Sequence, residues 1–186
     1  MGGFAVAALG VFLACAPDAT PEPPDVSHVL ILVNSESKLS RAIGRYYARR
    51  RGIPPEQTLA LPFPVSDPLL RDGQHQPITR KAFARLLRDP VERFLRKRGW
   101  ERRIRTLVTT KGIPLRVAES AGGNADFRER TTASVDAELA LLFSGRVGSA
   151  GSTSIPNPYF GSNESFAQWR DRHPDAPLRY LVARLT

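Results

Sequence analysis

The sequence predicts an α/β fold, a parallel-type sheet of about four strands with helices on both faces. Three observations predict it. The run "HVLILVN", His28 to Asn34, is apolar without alternation, as a strand buried on both faces requires. Further apolar runs follow with helical segments between them, so the connections are long crossovers of the kind parallel neighbours need. The composition, 41% hydrophobic and 24% charged, is that of an ordinary globular domain; it excludes wholesale disorder and a multi-span membrane protein.

Ahead of the fold lies "FAVAALGVFLA", Phe4 to Ala14, an apolar run too short to span a bilayer, which reads as the core of a signal peptide over residues 1–14. Cys15 follows directly and is the only cysteine, so an intramolecular disulfide is excluded. Residues 15–27 continue as "APDATPEPPD" and beyond, whose prolines and small polar side chains build no core and read as a tether. The segment "FLAC" resembles the lipobox of bacterial lipoproteins, in which cleavage precedes a cysteine whose sulfur carries diacylglycerol. Ordinary cleavage after the triplet Ala14, Cys15, Ala16 would leave Pro17 beyond the scissile bond, a poor position for proline. The expected mature protein therefore starts at a lipidated Cys15 and meets the membrane through that anchor.

The domain itself occupies 28–186. Strand one ends near Asn34, and "SESKLSRAIGRYYARRRG" then gives a helix with Ser35 or Ser37 as N-cap, Gly52 just past its end, and an apolar stripe of Leu39, Ala42, Ile43, Tyr46 and Tyr47. A short strand from about Thr58 to Leu61 precedes a proline-rich loop, Pro62 to Pro77. Thr79 caps the next helix, with Ile78 and Phe83 as its hydrophobic staple. Asp89, Pro90 and Glu92 read as N-cap, N1 and N3 of a second segment, so a break or kink is expected at Asp89. A third strand runs from Ile104 to about Thr110; a helix capped by Ser134 turns Val135, Leu139 and Leu142 to one side; "RYLVARL" supplies a fourth strand at the end. The layers are Rossmann- or flavodoxin-like. A final strand without a following helix leaves a sheet edge with little cover, and the domain is expected to be incomplete at its C-terminus.

The net charge is +9, which raises the question of nucleic acid. The basic residues are mostly arginines spread along helices, with lysines only at 38, 81, 97 and 111 and no aromatic-interleaved motif, so no nucleic-acid partner is expected. Anionic headgroups or an acidic polysaccharide are the polyanions available to an exported protein.

The strings "VNSESKLSRAIGRYYARRRGIPPE", "TKGIPLRV", "SVDAELALL", "NPYF" and "YLVARL" together resemble, in order, the N-terminal half of a bacterial exported family found in species that carry the exosortase and PEP-CTERM sorting system. That resemblance covers about Val29 to Leu185 and implies a longer protein, but it implies no activity. The strand, helix and "RRRGIP" layout also vaguely resembles gingipain and caspase-like peptidases, yet the Cys and His those enzymes need are not identifiable.

Ligands of open parallel sheets bind beyond the carboxyl ends of the strands, which singles out Asn34, Lys111 with Gly112, and Arg184. Asn34 either orients a ligand through its amide or ends its strand in a turn. Lys111 stands just past a buried strand, where it binds an anion or has its basicity tuned by desolvation; its bland role is an ion pair with Asp136 or Glu138. Gly112 permits a tight backbone path, and no glycine-rich consensus marks a phosphate cradle. Asp136 and Glu138, two apart in the first turn of a helix, diverge and form no acid/base couple unaided, and the helix dipole alone would justify both. His28, His75 and His173 lack ligand spacing, and no metal or cofactor is expected. "AGGNADF" and "GRVGSAGSTS" read as flexible loops and "NPYF" as a packed turn.

Taken together, the residues describe an exported, envelope-associated α/β domain of either of two kinds: the N-terminal part of a hydrolase-like protein, or a non-enzymatic lipoprotein that binds a surface polymer or another exported protein.

Overall fold

The computed structural model describes residues 25–63, 78–118, 133–147 and 157–185. The signal segment, Cys15, most of the tether, most of the proline-rich loop with His75, the "AGGNADF" loop, and most of "GRVGSAGSTS" lie outside them.

Strand β1 (Val29–Asn34) is buried at every position, as its unalternating apolar sequence requires. It is central in a four-stranded, wholly parallel sheet of order β2-β1-β4-β7, with β2 (Thr58–Leu61), β4 (Thr106–Thr110) and β7 (Leu181–Leu185). The α/β class and its parallel sheet are thus present. The third strand starts two residues later than the sequence suggests, although Ile104 is fully buried at its mouth.

Helix α1 (Lys38–Arg51) is capped by the Ser37 hydroxyl, which accepts from the amide of Ser40, and closes on Gly52 with φ of 66°. It covers one sheet face, where Val29, Ile31, Val33, Ile53 and Val108 form the smaller core, joined by Val26 from the end of the tether. The predicted packing stripe of α1 is used only in part: Tyr47 packs against this core, but the closest approach to the sheet is made elsewhere. Leu39 and Tyr46 are 53% and 60% exposed, and the buried residues are Ser40 and Gly44. A Cβ on Gly44 would stand 2.4 Å from Val33 Cγ1, so the helix lies on the sheet as closely as a bare Cα allows.

The opposite face holds the larger core, built from Leu30, Leu32, Leu61 and Leu107 of the sheet with Phe83, Leu87, Val91 and Leu95 of the helical run above it. That run is α2 (Arg80–Phe83), a π-helical turn (Ala84–Arg88) and α3 (Asp89–Arg98) without interruption. The second α-helical segment does start at Asp89, with Pro90 and Glu92 in its first turn, but the chain enters it through the π turn rather than through a break, and Asp89 is not its cap. Asp89 keeps helical φ and ψ of −63° and −40°, and its carboxylate accepts from Arg88 Nε rather than capping. Pro90 has no N–H, and its ring would strike a carbonyl in the preceding turn; the wider π turn, closed by the Asp89 amide on Ala84 O, gives it room.

A second, three-stranded sheet of order β3-β5-β6 was not foreseen; it joins β3 (Ile78–Thr79), β5 (Arg116–Ala118) and β6 (Ala133–Ser134). Its two outer strands end on Thr79 and Ser134, which cap α2 and α4 (Val135–Ala140) through their hydroxyls. One small sheet therefore fixes both helix starts. Val135, Leu139 and Leu142 are fully buried, as their spacing predicts. Helix α5 (Phe166–Arg172), also unforeseen, begins in a capping box of Ser165 and Gln168. The "NPYF" turn packs its Tyr159 edge-on to Phe166 and Trp169 of α5.

Candidate functional site at the strand ends

From β1 the chain moves outward to β2, then returns to place β4 on the other side of β1. The carboxyl ends of β1 and β4 are therefore the point where the direction of winding reverses, the usual ligand crevice of such sheets. Asn34 ends β1 there, and Lys111 and Gly112 follow β4.

Asn34 is spent on structure. Its Nδ2 donates to the Gly112 carbonyl at 3.1 Å, while Oδ1 accepts from the amides of Glu36 at 2.9 Å and Phe63 at 3.3 Å. Beneath it runs a buried relay: the Asn34 amide donates to Ser40 Oγ at 2.8 Å, Ser40 pairs with Thr110 Oγ1 at 2.6 Å, and Thr110 donates to Leu32 O at 3.1 Å. Since the Thr110 proton goes to Leu32, Ser40 is the donor to Thr110. Sequence reasoning missed Ser40 and Thr110; a serine and a glycine four apart on the inward side of a helix were the available signal. Gly112 has φ of 98°, and a Cβ there would meet Asn34, Ser37 and Ser40 only at ordinary contact distance, so backbone conformation rather than space selects glycine.

The charged candidates sort into two pairs, neither of which includes Lys111. Even-numbered residues of β7 face the larger core, and this brings Arg184 over the first turn of α4. Its Nε and Nη2 grip both oxygens of Asp136 at 3.0 and 2.5 Å, and its remaining donors reach the carbonyls of Ile113 at 2.9 Å and Pro114 at 3.2 Å. Glu138, only 2% exposed, accepts from Arg80 Nη1 at 2.7 Å. The small sheet explains that pair, because it sets the starts of α2 and α4 side by side. The two carboxylates diverge as expected, but guanidinium pairing, rather than the dipole of a six-residue helix, accounts for them. The anticipated ion pair of Lys111 with either carboxylate is thereby corrected: arginines occupy both, and Lys111 is partly exposed with no ion pair or hydrogen bond among the described residues.

At the opposite end of the sheet, burial lowers the Arg170 pKa and pushes the Tyr180 phenol well above its ordinary range. Tyr180 donates to Glu101 O at 3.0 Å, and Arg170 reaches the carbonyls of Ile104 and Glu101. This cluster holds α5 against the start of β7.

Among the described residues, no group of His, Cys, Asp and Glu could hold a metal ion, and no helix is long and apolar enough to cross a membrane. No family model, curated protein or solved structure matches the chain.

Proposed function

We propose that this chain is an exported, envelope-anchored α/β domain that acts by binding another envelope component, a protein or a polysaccharide. One observation carries the binding half of the reading: Asn34, Asp136, Glu138 and Arg184 all direct their polar atoms at neighbouring groups of the fold. A catalytic carboxylate needs to face substrate, whereas Glu138 is buried on Arg80 and Asp136, though 31% of its side chain meets water, is gripped at both oxygens by Arg184. The apolar segment before Cys15, the cysteine itself and the proline-rich tether support the anchor, and the resemblance to the exosortase-associated exported family agrees with export.

The test is the intact mass of the mature protein recovered from a membrane fraction. A chain starting at Cys15 and carrying diacylglycerol is expected, with Cys15→Ala abolishing both processing and membrane retention. A product that keeps residues 1–14, or an unmodified Cys15, would overturn the anchor.

Lys111 is the specific observation that favours the second reading, the N-terminal part of a hydrolase-like protein. Among the described residues it has no ion pair or hydrogen bond, and it stands at the winding reversal, where an amine can bind an anion or move a proton. Turnover of ester, amide or glycoside substrates that Lys111→Met abolishes would replace the binding reading with this one.

A further inference from the structure

Helix α1 carries Lys38, Arg41, Arg45, Arg49, Arg50 and Arg51 and no acidic residue. Among the described residues none of these six forms an ion pair. At ~100° per residue, Arg41, Arg45 and Arg49 fall on one flank, a third of a turn from the inward Ser40 and Gly44. That flank overhangs β2. A groove of about 540 Å³ lies between them, floored by Val33, Ile53 and Thr58 and rimmed by the three arginines.

The other wall is a sheet edge. Among the described residues, β2 pairs only with β1. The Ser35 amide donates to the Leu61 carbonyl at 2.8 Å, so Leu61 faces β1, and alternation turns the N–H and C=O of exposed Ala60 outward. Thr58 turns its carbonyl outward too, while its N–H closes on Pro55 O. An open strand edge beside a helix offers backbone hydrogen bonds on one side and side-chain contacts on the other, the geometry of strand addition.

The charges have a matching period. Arginines four apart on a helix repeat every ~6 Å. Alternate residues of an extended chain repeat every ~6.6 Å. A strand added to β2 with acidic residues at alternate positions thus meets Arg41, Arg45 and Arg49 in turn on the α1 face and turns its intervening apolar residues to the opposite face, beside the partly buried Leu59. We infer that the α1–β2 groove is a docking site for an extended acidic peptide segment, with alternating acidic and apolar residues, that adds to the free edge of β2. This rests on the binding reading and is independent of the anchor.

The experiment titrates a fluorescent Glu-Val-Glu-Val-Glu-Val peptide into the full chain, alongside its Lys-Val counterpart and an analogue N-methylated at the residues facing β2. Binding of the acidic peptide alone is expected, weakened by added salt, about tenfold weaker in Arg45→Glu/Arg49→Glu, and weakened by N-methylation. Both arginines are exposed, so circular dichroism should show the double variant folded. Equal binding by the double variant would overturn the groove as the site, and indifference to N-methylation would overturn strand addition. Retention on an acidic polysaccharide or on phosphatidylglycerol vesicles without peptide binding would overturn the peptide while leaving the binding reading standing. Failure with all three would overturn both.

Discussion

Arg184 is held by four acceptors on two segments, and that arrangement sets what its loss should cost. Arg184→Met leaves the Asp136 carboxylate and the Ile113 and Pro114 carbonyls without their donor. Asp136 keeps 31% of its side chain in water, which softens the penalty to about 2 kcal/mol rather than the larger cost of a fully buried orphan. Urea unfolding of the variant should show this loss with an unchanged slope. Lys111→Met, by contrast, removes no partner among the described residues and should alter stability by less than about 0.5 kcal/mol in the same assay. Tyr180 gives a pH signature. Its folded pKa is raised, so below about pH 10 both folded and unfolded phenols are neutral and the group is indifferent to pH; above that, the unfolded phenol ionises while the buried one resists, and stability falls. Tyr180→Phe should cost about 1 kcal/mol at neutral pH through the lost bond to Glu101 and should abolish this alkaline loss, read by denaturant midpoints on either side of pH 10.

At the scale of elements, α1 shows how a correctly placed helix can still be oriented by an unforeseen rule. Its limits were legible because Ser37 and Gly52 are strong end signals. Its rotation was not, because hydrophobicity ranks Leu39 and Tyr46 above Ser40 and Gly44, whereas close approach to the sheet selects for small size. Gly44→Ala should cost roughly 1–3 kcal/mol by thermal unfolding, and Val33→Ala in the same chain should recover much of it, since the clash is with Val33 Cγ1. The π turn was illegible for a different reason. Proline in a helix reads locally as a start or a stop, and only the buried row of Phe83, Leu87, Val91 and Leu95 beneath it makes a continuous path the better solution. Helix α5 was legible in principle: Ser165 and Gln168 spell its capping box, and Phe166 and Trp169 are its buried pair.

For the whole molecule, the parallel sheet with helices on both faces could be read from unalternating apolar runs, because burial on two faces leaves no polar alternation. Strand order could be read only at β1, whose unalternating run marks it as internal; β2, β4 and β7 are shorter and carry Thr or Arg, and their places depend on crossovers that composition does not encode. The site followed suit. The residues at the strand ends were found from the general rule for such sheets, while their pairing depended on a small sheet built of two- and three-residue strands too short to announce themselves. Central β1 and β4 should be the slowest segments in amide hydrogen exchange and edge strands β2 and β7 faster, which exchange mass spectrometry can order; an equally slow β2 would mean that its edge is covered.

The register between β4 and β7 also governs how this molecule comes together in time. Thr106 pairs with Leu181, so one flank of β4 has to wait while a long intervening stretch of chain is made and collapses. Asp136 is synthesised 48 residues before the Arg184 that grips it. Contacts so distant in sequence close late and slowly, and until they close, the apolar flank of β4 is a template for any other chain in the same state. The pairing of β7 with β4 is thus both a latch on the sheet and, for a nascent chain, the end of an interval of vulnerability to self-association.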